Sequence, residues 1–339
     1  MGHIILAHTI YGSNTYELFN FGSLRMTELD NKLYVYTCHT MYTTEDKLNH
    51  QANMIFTIDE STMKTVDYQY EILNLTQGYV SHSFNQYIKT YGDYIYRVDH
   101  SETGDLVEGG EIMAVNGITL TKFNKNDQPT EVTVTVPERF NIRRGNYTGS
   151  SIGGFEIGSD NCIIAFSQDI SKTNKNRNVY LTVTDTSFYK TKKVPLTGNT
   201  DNDNITCGTP ELVKISENLF LVMWEETNKS TNEVTTKGMT VDAKGQTVSS
   251  AKTLTARLSD CQPILCSDNL VKWYVTDNDG TTLYSLNPYY IESLHEHKYT
   301  SKVTKEPTCK ETGIRTYTCE CGDTYTESIA TIDHKYQYK

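Results

Sequence analysis

The stretch that decides the fold is ELVKISENLFLVMW, residues 211–224, in which two apolar segments flank the polar turn Ser216-Glu217-Asn218. Apolar and polar residues alternate before the turn, and a nearly continuous apolar run follows it, as in a β-hairpin whose second strand is buried. The same pattern recurs at residues 24–36, 80–100, 154–166 and 262–274. The chain is therefore a tandem repeat of one hairpin-based unit.

Each hairpin is followed by a further strand-like segment, and these segments are residues 53–59, 111–115, 178–183, 237–241 and 282–286. With an outer connecting strand, each copy makes a four-stranded unit at a period of roughly 50 to 70 residues. We therefore predict an all-β protein with a β-propeller of five or six blades at residues 1–290 and a small β-rich module at residues 291–339. The same strand spacing also fits two β-sandwiches of about 140 residues each.

The composition of this 339-residue chain limits the classes of partner that it can bind. Its net charge of -11 is spread along the sequence, and its few basic pairs stand alone, which argues against a nucleic-acid partner. No apolar run approaches the length of a membrane helix, which argues against membrane insertion. The 24 tyrosines favour half-buried, pleated surfaces and so agree with an all-β fold.

The inner strands of propeller blades converge on one channel, so polar residues from several blades can form a shared site. Side chains suited to hydrogen bonding with sugar hydroxyls or carboxylates cluster in the first two copies. In the fourth copy, Trp224 ends a strand, and Glu225 and Glu226 follow it at a rim position. The candidates are His39, His50, Gln51, His82, Asn85, Gln86, Arg97 and Trp224. They predict a propeller that binds a glycan or a protein partner without catalysis. The alternative for the polar residues is that they satisfy backbone groups between blades.

A carbohydrate-active hydrolase is the second functional hypothesis, and a structural stalk without a ligand is the third. A glycosidase needs two carboxylates roughly 5 to 9.5 Å apart across the scissile bond. The candidates are Asp93, Asp99, Asp105, Glu225 and Glu226. Residues 276–283, TDNDGTTL, also resemble the sialidase Asp-box, S-x-D-x-G-x-T-W, with Asn278 at the Asp position and Leu283 for Trp. That resemblance implies a hairpin turn with a folding role, and a glycosidase or sialidase-like activity as the alternative function.

The last part of the chain carries HEHKY, VTKEPTCKETG, TCECG and IATIDHKY in that order, within residues 295–336. It resembles a repeat found in large surface proteins of Gram-positive gut bacteria, with one residue fewer between its paired cysteines and Asp333 in place of a glycine. The stretches NHQANMIFTID and VSHSFNQYI are similar to large extracellular proteins of Clostridia-like bacteria. These resemblances imply a secreted or surface-attached fragment of a longer multidomain chain.

Two metal sites are conceivable from the ligand types, although the predicted function requires no cofactor. Cys309, Cys319, Cys321 and either His297 or His334 would supply the four ligands of a structural zinc ion. The alternative is a disulfide between Cys309 and one of the paired cysteines, in an oxidising environment. The Asp-rich loop at residues 198–204 is a candidate for Ca²⁺, with an ordinary polar loop as the alternative.

Overall fold

The computed structural model describes residues 7–10, 13–16, 24–43, 49–66, 86–101, 117–126, 133–140, 149–171, 175–289, 299–319 and 324–333. Every regular element within these ranges is a β-strand. No helix that is long and apolar enough to cross a membrane occurs in them. The chain divides into two compact units, residues 1–291 and 292–339.

A short hairpin and then five antiparallel sheets follow one another along the described part of the first unit. The hairpin consists of β1 (Ala7–Ile10) and β2 (Ser13–Tyr16). The first sheet consists of β3 (Arg25–Leu29), β4 (Lys32–Thr43), β5 (Asn49–Asp59) and β6 (Lys64–Thr65). The second consists of β7 (Tyr87–Tyr91), β8 (Tyr94–Ser101), β9 (Gly117–Asn124) and β10 (Thr133–Arg139). The third consists of β11 (Ser150–Gly158), β12 (Asn161–Asp169), β13 (Arg177–Asp185) and β14 (Thr191–Pro195).

The fourth sheet consists of β15 (Ile205–Cys207), β16 (Glu211–Ser216), β17 (Leu219–Asn228), β18 (Val234–Val241) and β19 (Lys252–Leu254). Its inner edge is split, because β15 and β16 both pair with β17. The fifth consists of β20 (Ile264–Leu265), β21 (Val271–Asp277) and β22 (Gly280–Leu286). The second unit contains one sheet of β23 (Tyr299–Lys305), β24 (Gly313–Cys319) and β25 (Thr324–Ile329).

Tight turns connect the first two strands of the sheets and fix their register. Asp30 and Asn31 between β3 and β4 have φ angles of 54° and 59°. Ser159 and Asp160 between β11 and β12 have φ angles of 45° and 62°. Two consecutive left-handed residues form the turn whose twist matches that of the flanking strands, and Asn and Asp tolerate this conformation better than most residues.

The hydrophobic core lies between consecutive sheets, as a propeller requires. On β12, Ile164 packs in a cluster with Val98 of the second sheet. Its neighbour Ile163 packs in a cluster with Val222 of the fourth sheet. Successive side chains of a strand point to opposite faces, so a strand covered on both faces must be apolar throughout. This explains the continuous apolar run of each repeat and confirms the all-β propeller prediction over the pair of two-layer sandwiches.

The first strands of the sheets lie next to one another, because β3 contacts β7, β7 contacts β11, and β11 contacts β16. The approach of β11 to β16 is close. A Cβ atom on Gly154 of β11 would lie 2.5 Å from the Cβ atom of Leu212 on β16. Only a residue without a side chain allows this approach, which brings the beginnings of the inner strands together.

One strand differs from its prediction. The third strand of the second sheet was expected at residues 111–115, which lie outside the described residues, and the structure places it at Gly117–Asn124. It places Ile118 and Leu120 in the core, both fully buried, and Leu120 lies opposite Val98 of β8.

Candidate functional site

A pocket of about 250 Å³ lies where the inner strands begin. Arg25, Tyr87 and Glu211 line it, and these are the first residues of β3, β7 and β16. Because the inner strands of consecutive blades run in the same direction, their first residues meet at one end of the channel. Asp260, from the segment before β20, and Glu225 of β17 complete its charged wall. The volume is close to the lower limit of roughly 300 Å³ for small-molecule sites.

Glu211 is a buried carboxyl group facing the pocket, and its residue is 8% exposed. Its Oε2 atom is buried and has no hydrogen-bond partner among the described residues. Burial raises the pKa of Glu211 well above its ordinary value; the positive charge of Arg25 partly offsets this rise, and the negative charge of Asp260 adds to it. The environment therefore favours the protonated acid, which can donate a proton into the pocket.

Tyr87 and Arg25 also line the pocket. The Tyr87 ring is buried, and its hydroxyl lies 3.5 Å from the carbonyl oxygen of Ile152, to which it donates. The guanidinium carbon of Arg25 lies 5.0 Å from the centre of that ring, within the range of cation–π attraction. Burial raises the pKa of Tyr87, and the nearby charge of Glu211 raises it further, so this phenol stays protonated.

The segment that carries Asp260 is anchored on both sides. Oε1 of Glu225 accepts hydrogen bonds from Nε of Arg257 at 2.7 Å and from the backbone N–H of Leu258 at 3.0 Å. On the other side, Nε2 of Gln262 donates to the carbonyl oxygen of Leu212 at 3.1 Å. Glu225 is thus occupied by an ion pair with Arg257, whereas Asp260 forms no ion pair with any described residue and is exposed.

Two carboxyl groups in different environments are what acid–base chemistry on one substrate needs. Glu211 lies buried in the pocket wall and favours its protonated form, while Asp260 lies exposed beside it. They are close enough for the charge of Asp260 to raise the pKa of Glu211. The arrangement can donate a proton from Glu211 and supply a carboxylate from Asp260.

The polar residues predicted from the first two repeats do not line this pocket where the structure describes them. Gln86 is fully buried just before β7, and Arg97 on β8 is buried with its guanidinium carbon 5.5 Å from the centre of the Tyr36 ring. His82 and Asn85 lie outside the described residues. Arg25, at the pocket, is paired with Tyr36 of β4. The backbone of β4 and β5 continues past this pair, and the continuing part contains His39 on β4 and His50 and Gln51 on β5. Their role as ligand-binding residues stays a prediction.

Trp224 lies in the core and not on the pocket wall. It is 1% exposed and belongs to the cluster between the third and fourth sheets. Its Nε1 atom donates to Oε1 of Glu226 at 3.1 Å, so this carboxylate is engaged in the same packing.

Of the other predicted carboxylates, Asp99 is buried and accepts a hydrogen bond from the Tyr36 hydroxyl at 3.0 Å. Asp93 pairs with Lys125 in a turn, 2.9 Å away, and Asp105 lies outside the described residues. Glu225 is the one member of this set that lines the pocket. The segment resembling an Asp-box forms the β21–β22 hairpin, whose turn has Asn278 in it and whose Leu283 is exposed.

The metal sites stay predictions. Cys309 is exposed, whereas the side chain of Cys319 and residues Cys321 and His334 lie outside what the structure describes. In the 198–204 loop, Oδ2 of Asp203 accepts hydrogen bonds from the backbone N–H and the hydroxyl of Thr200, at 2.6 and 2.9 Å. In the described ranges, no three His, Cys, Asp or Glu side chains come together as a metal site.

Sequence reasoning missed Arg25, Tyr87, Glu211 and Asp260. The signal was positional, because the first three of these residues begin the inner strands of three repeat copies. The residues predicted for the shared site were taken from dense polar clusters and not from equivalent positions.

No protein-family model and no curated protein matches this sequence. Solved structures do resemble it: an α-L-arabinanase of Penicillium chrysogenum, complexed with arabinobiose, is 9% identical with a TM-score of 0.50, covering 90% of this chain and 92% of that one. A GH93 α-L-arabinofuranosidase of Fusarium graminearum is 11% identical with a TM-score of 0.47, covering 90% and 91%. A Trypanosoma rangeli sialidase in complex with sialic acid is 11% identical with a TM-score of 0.46, covering 96% and 57%.

At this identity, the likeness to the arabinanase shows the propeller fold. It also corrects a prediction. The expectation of a propeller that binds a glycan or protein partner without catalysis is contradicted, because the arabinanase that this chain resembles is a carbohydrate-cleaving enzyme by name.

Proposed function

We propose that the propeller is a glycoside hydrolase. Its pocket would hold the glycosidic bond of a substrate between the side chains of Glu211 and Asp260, which cleave it. The observation that carries the proposal is the buried carboxyl of Glu211. Glu211 lines the pocket, its Oε2 atom is buried without a hydrogen-bond partner among the described residues, and the exposed carboxylate of Asp260 lines the same pocket. Burying a carboxyl without a partner costs folding free energy, so its presence at a cleft is a mark of function.

In the proposed reaction, Glu211 is the general acid. Its raised pKa keeps a proton on the carboxyl until the glycosidic oxygen of the substrate needs it, and the transfer leaves a negative charge that Arg25 stabilises. Asp260 acts on the anomeric carbon, either by activating a water molecule or by direct attack. Glu225 holds the Asp260 segment through Arg257 and Leu258 and is a positioning residue.

Substitutions of the two carboxyl groups test this proposal. E211Q and D260N keep the size of each side chain and remove the acid or the carboxylate, so each is expected to lower kcat by about 10²- to 10⁴-fold. E233Q is the matched control, because Glu233 is exposed in the turn between β17 and β18. The assay is release of reducing ends from plant, mucin and bacterial wall glycans, followed by NMR of the first product anomer. Activity that survives in both E211Q and D260N refutes the proposal.

Loss of the leaving-group proton has a second consequence for E211Q. Aryl glycosides with a strongly acidic phenol depart without protonation, so their cleavage by E211Q should fall much less than that of natural glycans. Equal losses on both kinds of substrate would show that Glu211 is not the acid.

A secreted or surface location, within a longer chain, stays a prediction from the C-terminal repeat.

A further inference from the structure

Arg25 is the cation among the residues that line the pocket, and it has no ionic partner among the described residues. Arg257 pairs with Glu225 at 2.7 Å, and Arg177 pairs with Asp169 at 3.2 Å. Among the described residues, no carboxylate lies within ion-pairing distance of Arg25, whose Nη1 atom donates to the carbonyl oxygen of Leu24 at 3.4 Å and whose side chain also lies within hydrogen-bonding reach of Tyr87. Its Nε atom is buried without a hydrogen-bond partner.

The guanidinium is nevertheless held in place. It lies 5.0 Å from the centre of the Tyr87 ring, which is itself 4% exposed and therefore fixed by packing. A planar guanidinium held against an aromatic ring keeps its fork of N–H donors in one orientation, and that fork matches a carboxylate through two parallel hydrogen bonds. A neutral sugar hydroxyl would use one donor and leave the charge uncompensated.

We propose that Arg25 binds a carboxylate of the substrate, so that the pocket takes acidic sugars such as uronic acids. The inference rests on the proposed function for its substrate class, and it deepens that function by naming what distinguishes the sugar. Glu211 does not oppose such a ligand in its protonated form. Asp260, the remaining anion, lies on the exposed part of the wall, where water screens its charge.

The test measures binding and hydrolysis separately. Calorimetric titration of the full chain uses glucuronate, galacturonate and sialic acid, with their methyl esters and the neutral sugars glucose and galactose as probes of equal or similar size. We expect at least one acid to bind about tenfold or more tightly than its ester, as an ionic hydrogen-bond pair implies. R25Q should abolish this preference, and R25K, which keeps the charge but loses the fork, should weaken it.

The matched control is R139Q, because Arg139 is exposed at the end of β10 and does not line the pocket. It should retain the preference for the acid. Equal binding of acids and esters, no binding of any acid, or a preference that survives in R25Q overturns the inference. Thermal unfolding of R25Q and R25K verifies that at least one of them is folded. The inference is then judged on the folded variant, and an undiminished preference for the acid in that variant overturns it.

The two proposals fail in distinguishable ways. Arg25-dependent binding of a sugar acid, together with no hydrolysis of any glycoside, refutes the hydrolase and supports the carboxylate subsite. Hydrolysis that depends on Glu211 and is equally fast for acidic and neutral glycosides supports the hydrolase and overturns the subsite.

Discussion

The buried carboxyl of Glu211 should make the stability of the propeller depend on pH in a defined direction. In the folded chain its pKa is well above the ordinary value of 4.5, because burial disfavours the charged form, whereas in the unfolded chain it is solvated. Between the two pKa values the folded state holds one proton more than the unfolded state. The stabilisation is therefore fully present below the unfolded pKa and is lost as the pH rises through the folded pKa.

The size of the effect follows from one proton. A difference of one bound proton gives a slope of about 1.4 kcal/mol per pH unit in the free energy of unfolding. E211Q has nearly the same shape and cannot ionise, so this falling slope is absent from the variant. Its stability relative to the wild type should grow by about 1.4 kcal/mol per pH unit above the ordinary pKa, and should level off beyond the raised pKa. Each kcal/mol corresponds to a shift of about 2–4 °C in the Tm of a large domain.

Thermal unfolding of both proteins, from about pH 4 to pH 9, measures this difference. E217Q is the contrasting control, because a hydrogen bond from Lys214 lowers the pKa of the exposed Glu217. The contribution of Glu217 is present above its unfolded pKa and is lost as the pH falls, which is the opposite sign. Parallel curves for the wild type and E211Q would refute the reasoning, because they would mean that Glu211 has the same pKa in both states.

Three further substitutions test the packing around the site. W224A should cost about 3–5 kcal/mol of unfolding free energy in urea, because Trp224 fills the core; a cost below about 1 kcal/mol would contradict its burial. G154V should lower the free energy of unfolding by about 1–3 kcal/mol and should also lower kcat, because its Cβ atom would lie 2.5 Å from a side chain of β16. An unchanged Tm and kcat would contradict that close approach. R257Q should change the free energy of unfolding by at most about 1 kcal/mol, because the ion pair between Arg257 and Glu225 is partly exposed. It should nevertheless lower kcat, because Glu225 would lose a contact that holds the Asp260 segment. An unchanged kcat would show that the segment is held by other contacts.

The architecture could be predicted from local pattern because each of its causes is local. The polar turn of residues 216–218, the apolar run after it and the recurrence of both along the chain specify hairpins that are buried on two faces. Strand pairing within a blade joins neighbours in sequence, so few distant contacts are needed to infer it. Residues 111–115, expected as the third strand of the second sheet, lie outside the described residues, and the strand that pairs with β8 is Gly117–Asn124.

The site could not be predicted in the same way, because its chemistry depends on distance and burial. In the sequence, Glu211 is a charged residue at the start of a strand and Arg25 is an ordinary surface cation. The fold places Glu211 in a buried wall, with Arg25 and Asp260 close enough for their charges to shift its pKa in opposite directions. The sequence determined that several inner strands would begin at one end of a channel. Only the tertiary structure decided which of their side chains lose water and meet there, since desolvation and Coulomb interaction act through space between residues far apart in the chain.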